Sequence, residues 1–305
     1  MDNYPLVSCL CVTKNRPEYL KRVINCFNAQ TYPNKELVVV YEQEDIATKI
    51  ALENTDAIKV EVIPHENLRL GELRNRAIEQ SRGEYFCQWD DDDWYHVDRL
   101  KIQMQSIAAS RQVACTLTNW ILYDEETEQA YFSVFRLWEG SILCRRDVIT
   151  AEVNYPNYGA GEDTLFLNKL IAKHGIYPEV KPNLYIYRVH KNNTWGDFRN
   201  HFSLMYSQAQ KLSPATSSLI GRIMNDQIDI EQASAILDSP EFIQQFRYFD
   251  FNNLNYSNEQ VLRYMESVKQ VNVKEFVKKI GRQSVADSIA ADNRAVIPSV
   301  LAASS

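Results

Sequence analysis

At 305 residues the chain has room for one large domain or two moderate ones, and 45% hydrophobic content with 11% aromatics can build a substantial core. A net charge of −7 argues against a general nucleic-acid binder, which would carry a basic stripe. No apolar run approaches the ~20 residues needed to span a bilayer, so an integral membrane segment is not expected.

No signal pattern opens the chain. The six cysteines fall singly in strand-like or helix-like segments without a CxxC pair. Cys9 and Cys11 share one face of a strand and read as small buried apolar residues. A reducing, cytoplasmic compartment is the expectation.

Leu6 to Val12 is near-continuously apolar, as a strand covered on both faces should be. Asn15 or Arg16 before Pro17 starts a helix, with Leu20, Val23, Ile24 and Phe27 at helical spacing. Glu36 to Tyr41 is a second strand, Ile46 to Asn54 a helix, and Ile58 to Ile63 a third strand. Leu70 to Ser81 is a helix that Gly83 stops. Tyr85-Phe86-Cys87-Gln88-Trp89 is a short buried strand, followed by a helix from Tyr95 to Ser110. This alternation predicts a mainly parallel, doubly wound α/β sheet flanked by helices.

From Val113 the pattern changes. Val113 to Asn119, Trp120 to Tyr123 and Tyr131 to Phe135 read as strands, with Asp124-Glu125-Glu126-Thr127 as a hairpin turn. Ser141 to Cys144 is a short strand, Leu165 to His174 a helix, and Tyr185 to His190 a final strand. Beyond Asn193 the spacing is helical: 198–212, 217–225, 230–237, 240–246, 258–271 and 273–280, each with a one-sided apolar face. Residues after about 292 are small and polar enough to fray. The expected division is a catalytic domain over 1–200 and a smaller helical region over 201–305.

Chemistry-bearing residues cluster at strand ends. The apolar strand at Tyr85 runs into Asp90, Asp91, Asp92 and Asp93. Four adjacent carboxylates repel one another, and a hard divalent cation relieves that repulsion. A solvated acidic turn capping the next helix is the competing reading. The position, at the carboxyl end of a strand in an α/β pattern, favours a ligand site. Thr13-Lys14-Asn15-Arg16 follows the first strand and Tyr41-Glu42-Gln43-Glu44-Asp45 the second. Glu162-Asp163 opens a helix, where acids also act as simple caps.

The combination resembles the inverting glycosyltransferases of family 2, with their GT-A fold. It is carried by Val7 to Arg16, by Gly71, Arg74, Asn75, Ala77, Ile78 and Gly83-Glu84-Tyr85, and by Asp90 to Trp94 with Asp98-Arg99-Leu100. Glu162-Asp163-Thr164 and Tyr187-Arg188-Val189-His190 with Asn193 complete it, over roughly residues 5–200. The resemblance implies that Asp92 binds a divalent metal, Mn2+ or Mg2+, and that His190 contacts the metal or the diphosphate. It implies that Asp90 and Asp91 hold the ribose, that Thr13 and Arg16 lie by the nucleotide, and that Arg74 reaches its base. Asp163 would be the general base and Glu162 its supporting neighbour.

Many relatives carry two acids after the second strand, whereas this chain has Tyr41-Glu42. Tyr41 would stack on the base and Glu42 accept its N–H, which leaves the base identity open.

The leading expectation is a metal-dependent inverting glycosyltransferase using a nucleotide sugar, most simply a UDP-sugar. Its acceptor would be a carbohydrate, a lipid-linked sugar or a protein, and the C-terminal helices could form a homo-oligomer. A sugar nucleotidyltransferase is disfavoured because Thr13-Lys14-Asn15-Arg16-Pro17 lacks the glycines of a phosphate loop. A non-catalytic nucleotide-sugar-binding module is the third reading, opposed by the joint presence of the Asp run and Glu162-Asp163.

Overall fold

A computed structural model describes residues 4–62, 68–134, 136–193 and 201–246. The helices expected over 258–271 and 273–280, and the terminus after 292, lie outside the described residues.

Seven strands form the main sheet, in the order β10-β6-β9-β4-β1-β2-β3. Its half from β4 to β3 is the expected parallel core. β1 (Val7–Val12) pairs with β2 (Lys35–Glu42) and with β4 (Tyr85–Gln88), and β2 pairs with β3 (Ile58–Val62), all parallel. Valine-rich β2 is buried along most of its length, which is why it reads as an unbroken apolar run. β9 (Trp138–Arg145) enters antiparallel between β4 and β6 (Ala114–Leu117), and β10 (Ile176–Glu179) closes the edge parallel to β6. β9 is longer than the four-residue strand predicted at Ser141, because tertiary pairing extends it over Trp138, Glu139 and Gly140. β10 was not foreseen.

Helices α1 (Pro17–Asn28), α2 (Ile46–Leu52), α3 (Leu70–Gln80) and α4 (Arg99–Ser110) supply the crossovers. Pro17 opens α1 where its missing N–H costs nothing. The helix expected from Tyr95 begins only at Arg99. Trp94–Tyr95 is instead a short strand, β5, with both aromatic side chains buried, and it forms the edge of a second sheet. Nor does Gly83 cap α3: the helix ends at Ser81 in extended backbone. Gly83 is required for close approach, since a Cβ there would stand 2.4 Å from Ser8 Oγ and 2.9 Å from the Leu6 carbonyl.

The second sheet has the order β12-β8-β7-β11-β5, and its existence was not foreseen. It joins β7 (Ile121–Asp124) and β8 (Gln129–Phe132), the predicted hairpin, to β11 (Tyr185–Val189) and the short β12 (Gln210–Lys211). α5 (Glu162–Lys173) packs toward β9. α6 (His201–Gln208), α7 (Pro214–Met224), α8 (Ile230–Leu237) and α9 (Pro240–Ile243) follow.

Ile220, Met224, Leu237 and Phe242 belong to the same apolar cluster as Val23, Trp89 and Tyr185. Residues 212–246 thus share a core with the main sheet. Polar contacts reinforce the docking: Arg22 pairs with Asp226 at 2.7 Å, and Ser234 Oγ accepts from the Val97 N–H. Among the described residues no helix is long and apolar enough to cross a membrane. All six cysteines are buried and free.

Candidate active site

The carboxyl ends of β1 and β4 lie side by side, so Thr13 and Arg16 after β1 face the Asp run after β4. Thr13 Oγ1 donates to Asp91 Oδ2 at 2.6 Å. The Arg16 guanidinium spans two carboxylates, 2.9 Å from Asp91 Oδ1 and 2.9 Å from Asp92 Oδ2. His190, just beyond β11, places Nε2 3.0 Å from the same Asp92 oxygen. Its Nδ1 accepts from the Asn192 N–H, which assigns the ring proton to Nε2 and makes that nitrogen the donor to Asp92.

The four aspartates have different fates. Burial and the neighbouring Asp92 push the Asp91 carboxyl up to about 8, against the opposing charge of Arg16. Burial also acts on Asp92, but the His190 hydrogen bond and Arg16 outweigh it and hold that carboxyl below the ordinary range. Asp90 is raised by burial, opposed by Arg74. It accepts from Gln88 Nε2 at 2.9 Å. Asp93 points away from the others: it is fully buried and accepts from the Tyr185 hydroxyl and, at 2.9 Å, from the Arg188 N–H. Three carboxylates therefore face the cavity, and the fourth ties β11 to the Asp run.

On the opposite wall α5 begins after Gly161, whose φ of 75° is a left-handed conformation natural to glycine. Glu162 turns inward and is 2% exposed, with Oε1 2.9 Å from Arg74 Nη1. Burial pushes its carboxyl up to about 8 despite Arg74. Asp163 stays partly exposed and lines the cavity with Asp90, Asp91 and Asp92. Trp138, Gly140, Tyr187 and Asn193 complete the wall. Trp138 is held flat by stacking on buried Trp120, with centroids 4.3 Å apart.

Arg74 lines the cavity beside Asp90, but mostly from within the wall. It is 7% exposed, lies between Glu162 and Asp90 (3.5 Å), and sits over the Tyr155 ring at 5.5 Å. The Gly71, Arg74 and Asn75 set is a clasp joining α3 to the segment before α5. A Cβ on Gly71 would meet the Pro156 carbonyl at 1.8 Å, and Asn75 exchanges hydrogen bonds with the Tyr155 backbone at 2.8 and 3.1 Å. One expectation needs correction: Tyr41 cannot stack on a base. It is 2% exposed, with its hydroxyl on Glu61. Glu42 stands at the rim, paired to Lys14 at 2.6 Å, and does not line the cavity.

Sequence reasoning missed Trp138 and Gly140 because only the pairing of β9 brings them to the site. Glu139, between them, carried no motif signal.

Among the described residues no three His, Cys, Asp or Glu groups already form a metal cage. The donor chemistry nevertheless suits a divalent cation. A carboxylate oxygen of Asp92 and Nε2 of His190 stand 3.0 Å apart, now joined by a hydrogen bond. That is about the separation of adjacent ligands around a six-coordinate ion with bonds of about 2.1 Å. To ligate an ion, Nε2 would give up its proton to Nδ1, which would release the Asn192 N–H. The remaining positions would fall to water and to ligand oxygens.

The strand-end carboxylates, the helix-start acid and the doubly wound sheet with its antiparallel β9 define the class: a GT-A-type glycosyltransferase fold. The family model for glycosyl transferase family 2 matches residues 8–148, a little under half of the chain, and the resemblance to that family rests on this stretch. A Bacillus subtilis protein named as a glycosyltransferase, EpsH, is 28% identical over 218 residues, covering 61% of this chain and 61% of EpsH. The chain therefore spans about three fifths of the length of that curated relative. Among solved structures, S. aureus TarS 1-349 in complex with UDP-GlcNAc aligns with a TM-score of 0.51 at 15% identity, over 91% of each chain. The mannosyltransferase PcManGT of Pyrobaculum calidifontis, in complex with GDP-Man and Mn2+, aligns with a TM-score of 0.51 at 14% identity, over 97% of this chain and 81% of that one.

Proposed function

We propose that the protein is a metal-dependent inverting glycosyltransferase that moves a sugar from a nucleoside diphosphate, UDP being the first to test, to an acceptor hydroxyl. The observation that carries this reading is the meeting, in one cavity, of the Asp90–Asp92 strand end and Asp163 at the start of α5. A nucleotide sugar is a dianion, and a cavity lined by acids needs cations to receive it. Arg16 is one such cation. Asp92 and His190 would hold a divalent ion, which would neutralise the departing diphosphate. The Mn2+ of the PcManGT complex agrees with this reading, and the UDP-GlcNAc and GDP-Man of the two neighbours agree with a nucleotide-sugar donor.

Asp90 and Asp91 hold the ribose, while Thr13, Arg16 and Glu42 form the nucleotide end of the site. Asp163 takes the proton of the acceptor hydroxyl as its oxygen bonds to the anomeric carbon. The bond from that carbon to the diphosphate breaks on the opposite face, and the configuration inverts. Glu162 is committed to Arg74, which leaves Asp163 as the carboxylate of the pair that can receive a proton.

The test is incubation with a panel of nucleotide sugars and Mn2+ or Mg2+, following free nucleoside diphosphate. Release of diphosphate supports the reading, whereas release of pyrophosphate, or binding without turnover, sinks it. The helices after residue 200 contribute the acceptor site or a homo-oligomer contact. Because residues 212–246 share the main core, a chain truncated near Asn200 should either aggregate or bind UDP without transfer to the natural acceptor, and full transfer by a soluble monomeric fragment would overturn this role.

A further inference from the structure

The approach to α5 is built loosely. Gly159 and Gly161 flank Ala160, and a Cβ on Gly159 would meet nothing within 4 Å. Such a segment does not by itself aim a helix terminus. The first turn of α5 is held instead by two side-chain anchors on opposite sides. One is Glu162 on Arg74 from α3, at 2.9 Å. The other is Thr164, whose hydroxyl donates to Glu139 Oε1 of β9 at 2.9 Å. Glu139 is 5% exposed, and Arg136 Nη2 holds the same oxygen at 2.7 Å. A buried, ion-paired carboxylate on a central strand is a firm attachment point, because releasing it would strand a charge away from water.

Thr164 also reaches the acid beside it. Its backbone N–H donates to Asp163 Oδ1 at 2.7 Å. The chain of contacts runs Arg136, Glu139, Thr164 hydroxyl, Thr164 N–H, Asp163. The anchored threonine fixes the peptide that holds one oxygen of Asp163, and so fixes where the other oxygen points. Cavity-lining Gly140 follows Glu139 directly, so the anchor and the cavity wall belong to one stretch of strand.

We propose that Thr164, tied to Glu139, is a positioning residue that aims Asp163 at the acceptor hydroxyl. This rests on the reading of Asp163 as general base. Thr164 touches no substrate, and its effect is on geometry alone. A base displaced by a fraction of a hydrogen-bond length loses proton transfer without loss of donor binding.

The experiment compares Thr164→Val, Thr164→Ser and Asp163→Asn in the full chain. It uses whichever sugar nucleotide of the donor panel is turned over fastest, with Mn2+ and water as the nucleophile. Valine keeps the shape and the backbone N–H but removes the hydroxyl, whereas serine keeps both. The expected result for Thr164→Val is a fall in kcat of ~10- to 100-fold with donor KM, UDP affinity and Tm near wild type. Thr164→Ser should return kcat to within about threefold of wild type, on the same geometric argument.

Wild-type kcat in Thr164→Val beside an inactive Asp163→Asn overturns the inference while leaving the base intact. A Thr164→Val protein that loses kcat, UDP affinity and Tm together, without rescue by serine, overturns it in favour of a structural role. Full turnover by Asp163→Asn removes the base reading, and this inference with it.

Discussion

Two arginines in this cavity each serve a pair of carboxylates, and they do so differently. Arg16 bridges Asp91 and Asp92 at 2.9 Å each, with its side chain 29% exposed. Arg74 bridges Glu162 and Asp90 with its side chain 9% exposed and its plane over Tyr155. Arg16 sits on the loop between β1 and α1 and lines the cavity. Arg74 is clamped inside α3, next to the clasp made by Gly71 and Asn75. The same residue type is thus a half-open counter-ion at the strand end and a buried strut at the helix end. Exposure, more than charge, separates the two roles.

The strongest way to break the comparison is at the carboxylate Arg16 shares with His190. Asp92→Asn should abolish turnover and remove the stabilisation that Mn2+ and UDP together give the wild type, measured by thermal shift. Unchanged metal-dependent stabilisation would take Asp92 out of the metal site, and wild-type turnover in EDTA would remove the metal altogether.

Replacing the strut comes next. Arg74→Met leaves buried Glu162 and its neighbour Asp90 without the hydrogen-bond donors of Arg74, a loss on the order of 1–3 kcal/mol. Urea unfolding should show it as a lower midpoint. A midpoint near wild type would mean that Glu162 does not depend on Arg74.

Arg16→Gln should be milder in stability, on the order of 1 kcal/mol, because the pair is partly solvated. It should also free Asp91 and Asp92 toward a cation. Mn2+ binding without nucleotide, followed by electron paramagnetic resonance, should tighten severalfold while UDP affinity falls. Equal Mn2+ affinity in both proteins would remove the counter-ion role.

The comparison also carries a pH dependence. Burial raises Glu162 to about 8, so the folded chain keeps a proton that the unfolded chain releases in the ordinary carboxylate range. The native state therefore binds more protons between about pH 4.3 and about 8, and stability falls as pH rises through that window. In Glu162→Gln the decline in Tm from pH 5.5 to 8.5 should shrink. An identical decline would assign it to other groups, Asp91 among them.

Much of the N-terminal architecture was legible because its signals are local. The apolar runs at Val7, Glu36 and Tyr85 are strands whatever surrounds them, and Pro17 opens a helix by its own covalent geometry. The Asp run was legible as a candidate site, over a solvated acidic turn, because it stands at the carboxyl end of a buried strand in an α/β pattern, where open sheets place their ligands. Glu162 and Asp163 were legible as a pair, but not which of them is held by Arg74. That depends on how α3 docks on the segment 155–158, over 80 residues away in the chain.

The sequence by itself determined the strand-and-helix order of the first half, the placement of acids at strand ends and the family resemblance, since periodicity, proline and charge act over a few residues. Tertiary structure alone decided the second sheet, the antiparallel insertion of β9, and the burial of Tyr41 and Arg74. It also turned Asp93 away from its three neighbours and brought Glu139 to Thr164. Each of these depends on which surfaces meet at long sequence separation. There the cost of burying an unpaired polar group selects partners that no local pattern encodes.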